Sequence, residues 1–258
     1  MPTTILDCFE GECPKYPGTY RTFTATASSE GTKLQPPPNV LVETALDYWL
    51  QCANKFLQEE QLKGTNSKLA QDYIASDEPT MAKLDVEEDV VRVSTLYITH
   101  PIQNAINARY QAPITIATEV RVSRFRYDLS FNIKQDTDQK QPIMVIEYKR
   151  VGMIDYADFD VAVEEKNKQR ALSKLNAHGG QSVLMANANG FILCKQAAAY
   201  AKSTKCNFVA LCDYDKLVLL EFESSDFARV TTIPRQHIRK ALLGFCLKAC
   251  EQAQLQRK

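Results

Sequence analysis

The sequence lacks long apolar runs and is poor in tryptophan and histidine, with one Trp and three His among 258 residues. No stretch approaches the ~20 consecutive apolar residues of a membrane-spanning helix, so no such span is expected. His100, His178 and His237 stand apart from one another, and none completes a Ser or Cys triad. Each reads as a structural or surface residue. The eight cysteines lack pattern: there is no C-x-x-C and no Cys/His cluster of zinc spacing. Cys246 and Cys250, four apart on an expected helix, read as core packing. The opening M-P-T-T-I-L-D-C has no basic stretch leading into an apolar one. With the scattered thiols, this predicts an intracellular protein of the nucleus or cytoplasm. A phosphate loop is missing too, because His178-Gly179-Gly180 has neither the preceding strand nor the lysine such a loop needs.

Net charge is also absent, at 31 Lys and Arg against 31 Asp and Glu. That argues against an obvious polyanion binder. The balance hides an asymmetry. Residues 1–120 hold 9 basic and 16 acidic side chains, a balance of −7, and residues 121–258 hold 22 and 15, a balance of +7. The basic part could meet phosphates, or the acidic part of its own chain.

What is present is a soluble, globular composition, 45% hydrophobic and 24% charged. Residues 1–38, rich in Thr, Ser, Gly and Pro, predict a flexible arm without a core. Residues 39–112 predict a helical region. Leu41, Ala45, Trp49, Cys52 and Phe56 recur at helical spacing from Asn39 to about Lys63, and a short helix is expected over Leu69–Ala75. A stronger one from Asp85 carries Val86, Val90, Val93 and Tyr97 on one stripe and is ended or kinked by Pro101. After Pro113 the period falls to two. Strands are expected over Ile114–Val122, Arg124–Ile133 and Pro142–Lys149, with a charged turn between the last two. Helices over Asp158–Asn176 and Gly190–Lys202, strands over Phe208–Leu211 and Leu217–Phe222, and a closing helix over Arg235–Gln254 complete residues 113–258. The order predicts an α/β fold, a mixed central sheet flanked by helices with an N-terminal helical extension.

Two strands carry the chemistry. In R-F-R-Y-D-L-S-F, alternation puts Arg124, Arg126, Asp128 and Ser130 on the polar face. In V-I-E-Y-K-R it puts Val145, Glu147 and Lys149 together. As hairpin neighbours, the strands bring Asp128 and Glu147 within reach of one divalent ion. Mg²⁺ or Mn²⁺ would accept two carboxylates, a backbone carbonyl such as that of Tyr148, and water. Lys149 would orient an attacking water or neutralise developing charge. The plain alternative is a solvated strand end, since E-x-K is a common triplet.

Asp128 followed nineteen positions later by Glu147-x-Lys149, each at a strand end, resembles the PD-(D/E)xK nuclease superfamily. Gln196-A-A-A-Tyr200, i and i+4 on one helix face, resembles the Q-x-x-x-Y of its exonuclease-type branch. The segment K-C-N-F-V-A-L-C-D-Y-D-K-L-V-L-L resembles the strand–turn–strand that follows this helix in stand-alone members, among them fungal and Crinkler-type proteins. The likeness spans roughly Asp85 to Phe222. It implies a restriction-endonuclease-like core, Asp128 and Glu147 as ligands of Mg²⁺ or Mn²⁺, Lys149 as catalytic lysine, and Gln196 and Tyr200 as supports of the site or contacts to the nucleic acid backbone. The partner it implies is nucleic acid, DNA ahead of RNA. A further carboxylate from the preceding helix would be Glu87, ahead of Glu88, with Glu119 on the neighbouring strand as another choice. Tyr127 stands where the motif's proline would be. The gap from Lys149 to Gln196 is longer than in compact exonucleases. Gln169 has the more usual spacing, with Ser173 in place of the tyrosine. Arg150, Lys166, Lys168, Arg170 and Lys174 form a basic run that is either a solvated face or a phosphate-contacting surface. Trp49 reads as core packing. The rival to a nuclease is a catalytically inactive module of the same fold that binds nucleic acid or a protein.

Overall fold

A computed structural model describes residues 3–16, 23–25, 30–74, 83–122, 125–134, 140–177, 182–186 and 188–258. Among these residues the strands are β1 (Val40–Glu43), β2 (Ile114–Val122), β3 (Phe125–Lys134), β4 (Lys140–Tyr148), β5 (Phe208–Cys212), β6 (Lys216–Phe222) and β7 (Phe227–Pro234). The helices are α1 (Ile5–Cys8), α2 (Glu30–Leu34), α3 (Leu46–Leu62), α4 (Lys68–Gln71), α5 (Glu87–Ser94), α6 (His100–Arg109), α7 (Lys168–Ala177), α8 (Asn189–Thr204) and α9 (Ile238–Gln252). One sheet runs in the order β1-β7-β6-β5-β4-β3-β2, parallel at β1–β7 and β4–β5 and antiparallel elsewhere. The chain is thus an α/β protein with a mixed sheet flanked by helices and an N-terminal helical region.

The apolar run of β4 and the F-V-A-L-C of β5 explain the centre of the sheet. Ile143 to Tyr148 and all of β5 are buried, as expected where both faces are covered. Helix α8 lies on β3 to β6, and α9 lies on β4 to β7. Helices α5 and α6 are joined through a π turn, Thr95–Thr99, immediately before Pro101. At the expected kink lies a wide, underwound turn that ends two residues before a proline, which cannot donate a helical hydrogen bond.

The tightest joint is between α3 and α9. Trp49 is buried edge-to-face on Phe245, with ring centroids 5.1 Å apart. Its indole N–H donates to Thr231 Oγ1 at 2.8 Å, and that hydroxyl donates to the Thr44 carbonyl at 2.8 Å. The sole tryptophan thereby ties both helices to β7 and to the end of β1.

Several sequence expectations need correction. Residues 3–16 are not a solvated arm, because Ile5, Leu6, Cys8, Phe9, Cys13 and Tyr16 are buried in the main core. Their polar neighbours are held from the far end of the chain. Arg239 donates to the Gly11 and Glu12 carbonyls at 3.3 and 2.5 Å, Arg235 donates to those of Cys13 and Pro14, and Lys240 meets Glu10 at 2.7 Å. Residues 17–22 and 26–29 lie outside the described residues. The helix expected from Asn39 begins at Leu46; Val40–Glu43 instead joins the sheet, where its partner β7 supplies hydrogen bonds that local periodicity could not reveal. Strand β7 itself was not expected. The helix expected over Asp158–Asn176 is two short 3₁₀ turns, Tyr156–Phe159 and Glu165–Asn167, followed by α7. His178-Gly179-Gly180 lies outside the described residues.

Gly244 faces the backbone of α3 at this joint. A Cβ there would sit 2.0 Å from the Trp49 carbonyl oxygen, a backbone atom that cannot swing aside. Gly244→Ala should therefore lower stability by about 1–3 kcal/mol despite the gain in helix propensity. Urea unfolding checks this, and an unchanged or raised midpoint contradicts it.

Candidate active site

The β3–β4 register pairs Leu129 with Ile146 and Ser130 with Val145. One further step sets Asp128 opposite Glu147, where cross-strand side chains on one face are neighbours. The ladder stops here, and the Asp128 side chain takes over: its Oδ2 accepts the Tyr148 N–H at 2.7 Å. On the other side β4 continues one residue longer, with the Lys149 N–H donating to the Cys212 carbonyl at 2.8 Å. The strand ends of β3 and β4 thus present Asp128, Glu147 and Lys149 together.

Glu147 is 5% exposed and Lys149 8%. The Lys149 ammonium lies 2.7 Å from Glu147 Oε1 and 3.8 Å from a Glu87 oxygen. Burial acts to lower its pKa, but Glu147, Glu87 and Asp128 outweigh this and raise it, so the ammonium keeps its proton. Asp128 is pushed up to about 8, first by burial and then by the Glu147 charge; Lys149 and the Tyr148 N–H draw it partly back. Glu87 is raised by burial, against the pull of Lys149. Glu147 Oε2 is buried and has no hydrogen-bond partner among the described residues.

Helix α5 brings Glu87 in at its first residue. Glu88 is exposed. Glu119 would follow Asp128 and Glu147 in a row across the sheet. Its residue pair is missing from the ladder, its φ is +49°, and its side chain pairs with Arg126 at 3.6 Å in the open. Helix α8 brings in Tyr200, whose ring meets that of Tyr127 edge-on at 5.7 Å. The phenol pKa is raised by burial and then by the facing Glu147 and Asp128 carboxylates. Gln196 is buried one turn earlier on α8. Gln169 is exposed on α7, and Ser173 there donates to the Gln169 carbonyl at 2.9 Å. The site therefore gathers Asp128, Glu147, Lys149, Glu87 and Tyr200, but neither Gln169 nor Glu119.

Sequence reasoning missed how α8 is anchored. Asp158 Oδ2 accepts the Gly190 N–H at 2.7 Å, capping the helix from a distant loop. Gly190 is needed there, because a Cβ would lie 2.6 Å from that of Asp158. Two residues of the basic run are paired locally. Lys166 pairs with Glu164 at 2.5 Å, and Lys168 with Glu223 at 3.0 Å while covering the Phe227 ring. Arg150 lies over the Phe23 ring, and the side chain of Lys174 lies outside the described residues. Between the halves of the chain, Lys240–Glu10 and Lys149–Glu87 are ion pairs of basic C-terminal with acidic N-terminal residues.

Among the described residues no group of three or more His, Cys, Asp or Glu side chains is placed to hold a metal. The donor set that fits a divalent ion is smaller: the orphaned Glu147 Oε2 and the Asp128 carboxylate, with waters making up the rest. Hard ions such as Mg²⁺ tolerate such a partial protein shell. No family model, curated protein or solved structure matches the chain.

The raised Asp128 pKa has a consequence for stability. A carboxyl whose folded pKa exceeds its unfolded value stabilises the fold in its protonated form. That contribution is complete below the ordinary carboxylate value and is lost as pH rises through about 8. Asp128→Asn removes this titration and keeps a carbonyl for the Tyr148 N–H. Without added metal it should raise Tm over wild type more at about pH 9 than at about pH 5. Equal increments at the two pH values would show that Asp128 does not titrate in this window.

Proposed function

We propose that the protein is a divalent-metal-dependent nuclease that hydrolyses phosphodiester bonds of nucleic acid, DNA ahead of RNA. The observation that carries this reading is the convergence of Asp128, Glu147 and Lys149 at adjoining strand ends, with Glu147 Oε2 buried and unpartnered. Glu87 from α5 and Tyr200 from α8 close on the same cluster, in the chain order of the PD-(D/E)xK motif that the sequence resembles. In this reading Asp128 and Glu147 hold Mg²⁺ or Mn²⁺. When bound, the ion lowers the pKa of a water and offsets charge on the phosphate. Lys149, charged and held between Glu147 and Glu87, orients the nucleophilic water or neutralises the charge that develops on the phosphoryl oxygens. Glu87 tunes Lys149 and lies at the edge of the ligand set. Tyr200 faces the carboxylates from α8, with Gln196 buried one turn earlier on the same helix.

A second reading is a catalytically inactive module of the same fold, binding nucleic acid or a protein partner. The near-complete burial of Glu147 and Lys149, and the local ion pairs of Lys166 and Lys168, favour it.

The two readings part on cleavage. Purified protein should nick DNA or RNA with Mg²⁺ and stop in EDTA. Lys149→Ala, folded by circular dichroism, should lose about 10²–10³-fold in rate. Activity that survives intact in this variant sinks the nuclease reading. Mn²⁺ should raise Tm by preferential binding to the folded state, and Glu147→Gln should abolish that shift. A metal shift without cleavage would select the inactive module.

A further inference from the structure

The turn between β5 and β6 contains a carboxylate that the proposed chemistry does not use. Asp213 is fully buried and accepts four backbone hydrogen bonds. Its Oδ1 takes the N–H groups of Asp215 at 3.2 Å and Lys216 at 2.7 Å, which closes the turn. Its Oδ2 takes those of Gly152 at 3.1 Å and Ile154 at 3.4 Å. One oxygen suffices for the turn. The other is directed at the loop that follows Lys149.

Two neighbours reinforce this tie. The Lys149 N–H donates to the carbonyl of Cys212, the residue before Asp213, and Lys216 Nζ donates to the Ile154 carbonyl at 2.8 Å. The loop needs a glycine for its path, since Gly152 has φ +86°. Tyr214, next to Asp213, also lies in the left-handed region at φ +73°, a conformation costly for a bulky residue. Its hydroxyl donates to the Pro14 carbonyl at 3.0 Å, and its ring is buried. Surrounding packing thus holds the turn in an unfavourable shape.

The loop then reaches the other half of the site. Between Gly152 and Ile154, the Met153 carbonyl accepts Nδ2–H of Asn189 at 3.0 Å. Asn189 is the first residue of α8, the helix that carries Tyr200. A continuous path runs from the Lys149 backbone through Asp213 and Met153 to α8.

We infer that Asp213 is a positioning residue that fixes Lys149 and α8 relative to each other through the 150–154 loop. The inference rests on the nuclease reading for its effect on rate, though not for its effect on geometry. Misplacement of a reacting group by about 1 Å can cost ~10²-fold in rate.

The test is Asp213→Asn in the full chain, which keeps the shape and removes one acceptor. The variant should lose about tenfold or more in kcat for Mg²⁺-dependent cleavage, with KM changed by less than about threefold. Amide exchange at Lys149, Gly152 and Ile154 should speed by about tenfold, while Val145 and Ile146 in β4 stay as in wild type. A folded variant with wild-type kcat, or with unchanged exchange at these three amides, overturns the inference. If Asp213→Asn does not fold, Lys216→Met decides, since it removes the tie to the Ile154 carbonyl, along with the ammonium's contact on the Tyr156 ring, and leaves the Asp213 carboxylate in place. It should give the same pattern, and wild-type rate and exchange in it overturn the inference. Wild-type protein that cleaves nothing sinks the nuclease reading instead; the positioning of Lys149 then stands or falls on amide exchange alone.

Discussion

One buried ammonium governs the end of β4. Asp128, Glu147 and Glu87 converge there from two strands and a helix, and Lys149 is the cation set among them. Burial strengthens every interaction in such a cluster, repulsive as well as attractive. Burial first, and then the neighbouring Glu147 charge that Lys149 only partly offsets, push the Asp128 and Glu87 carboxyls toward their protonated forms. The dipole at the first turn of α5 favours the charged form of Glu87 and works against this shift.

The sheet makes this concentration of charge possible. From Ile143 strand β4 is buried, and it is paired with β3 up to Ile146 and with β5 up to Tyr148, so the side chains at its end have fixed directions. On one edge Asp128 replaces a lost ladder bond, and on the other Cys212 extends the ladder by one residue. Helix α8 is then fixed by Asp158 at its start and stops at Lys205, which has φ +55°. Each functional side chain is thus aimed by a satisfied backbone rather than by the flexible part of a loop.

The legible parts of the sequence were those with a strong local period. Strands β2 to β6 and helices α8 and α9 follow directly from alternation or from an apolar stripe. Asp128, Glu147 and Lys149 could be placed on one side because alternation is a rigid rule, and Tyr200 because i and i+4 share a helix face. Strand β1 was hidden because V-L-V-E runs in phase into α3 and finds its partner 187 residues later, at Val40 and Phe227. The N-terminal segment was hidden for a similar reason. Its Thr, Ser, Gly and Pro suggest solvation, and nothing local reveals that Arg235 and Arg239 will satisfy its carbonyls. Asp213 was not legible at all, since C-D-Y-D-K reads as an ordinary turn and the second role of its carboxylate exists only in three dimensions.

The interlock of the chain's two ends bears on how it is made. The carbonyls of residues 11–14 and the β1 edge of the sheet all wait for residues between Phe227 and Arg239. Val40 to Val42 and the carbonyls of residues 11–14 therefore precede their partners by nearly two hundred residues or more, whereas α1 packs on α3, α4 and α6 and closes locally. Long-range closure of this kind is slow and exposes apolar surface to other chains.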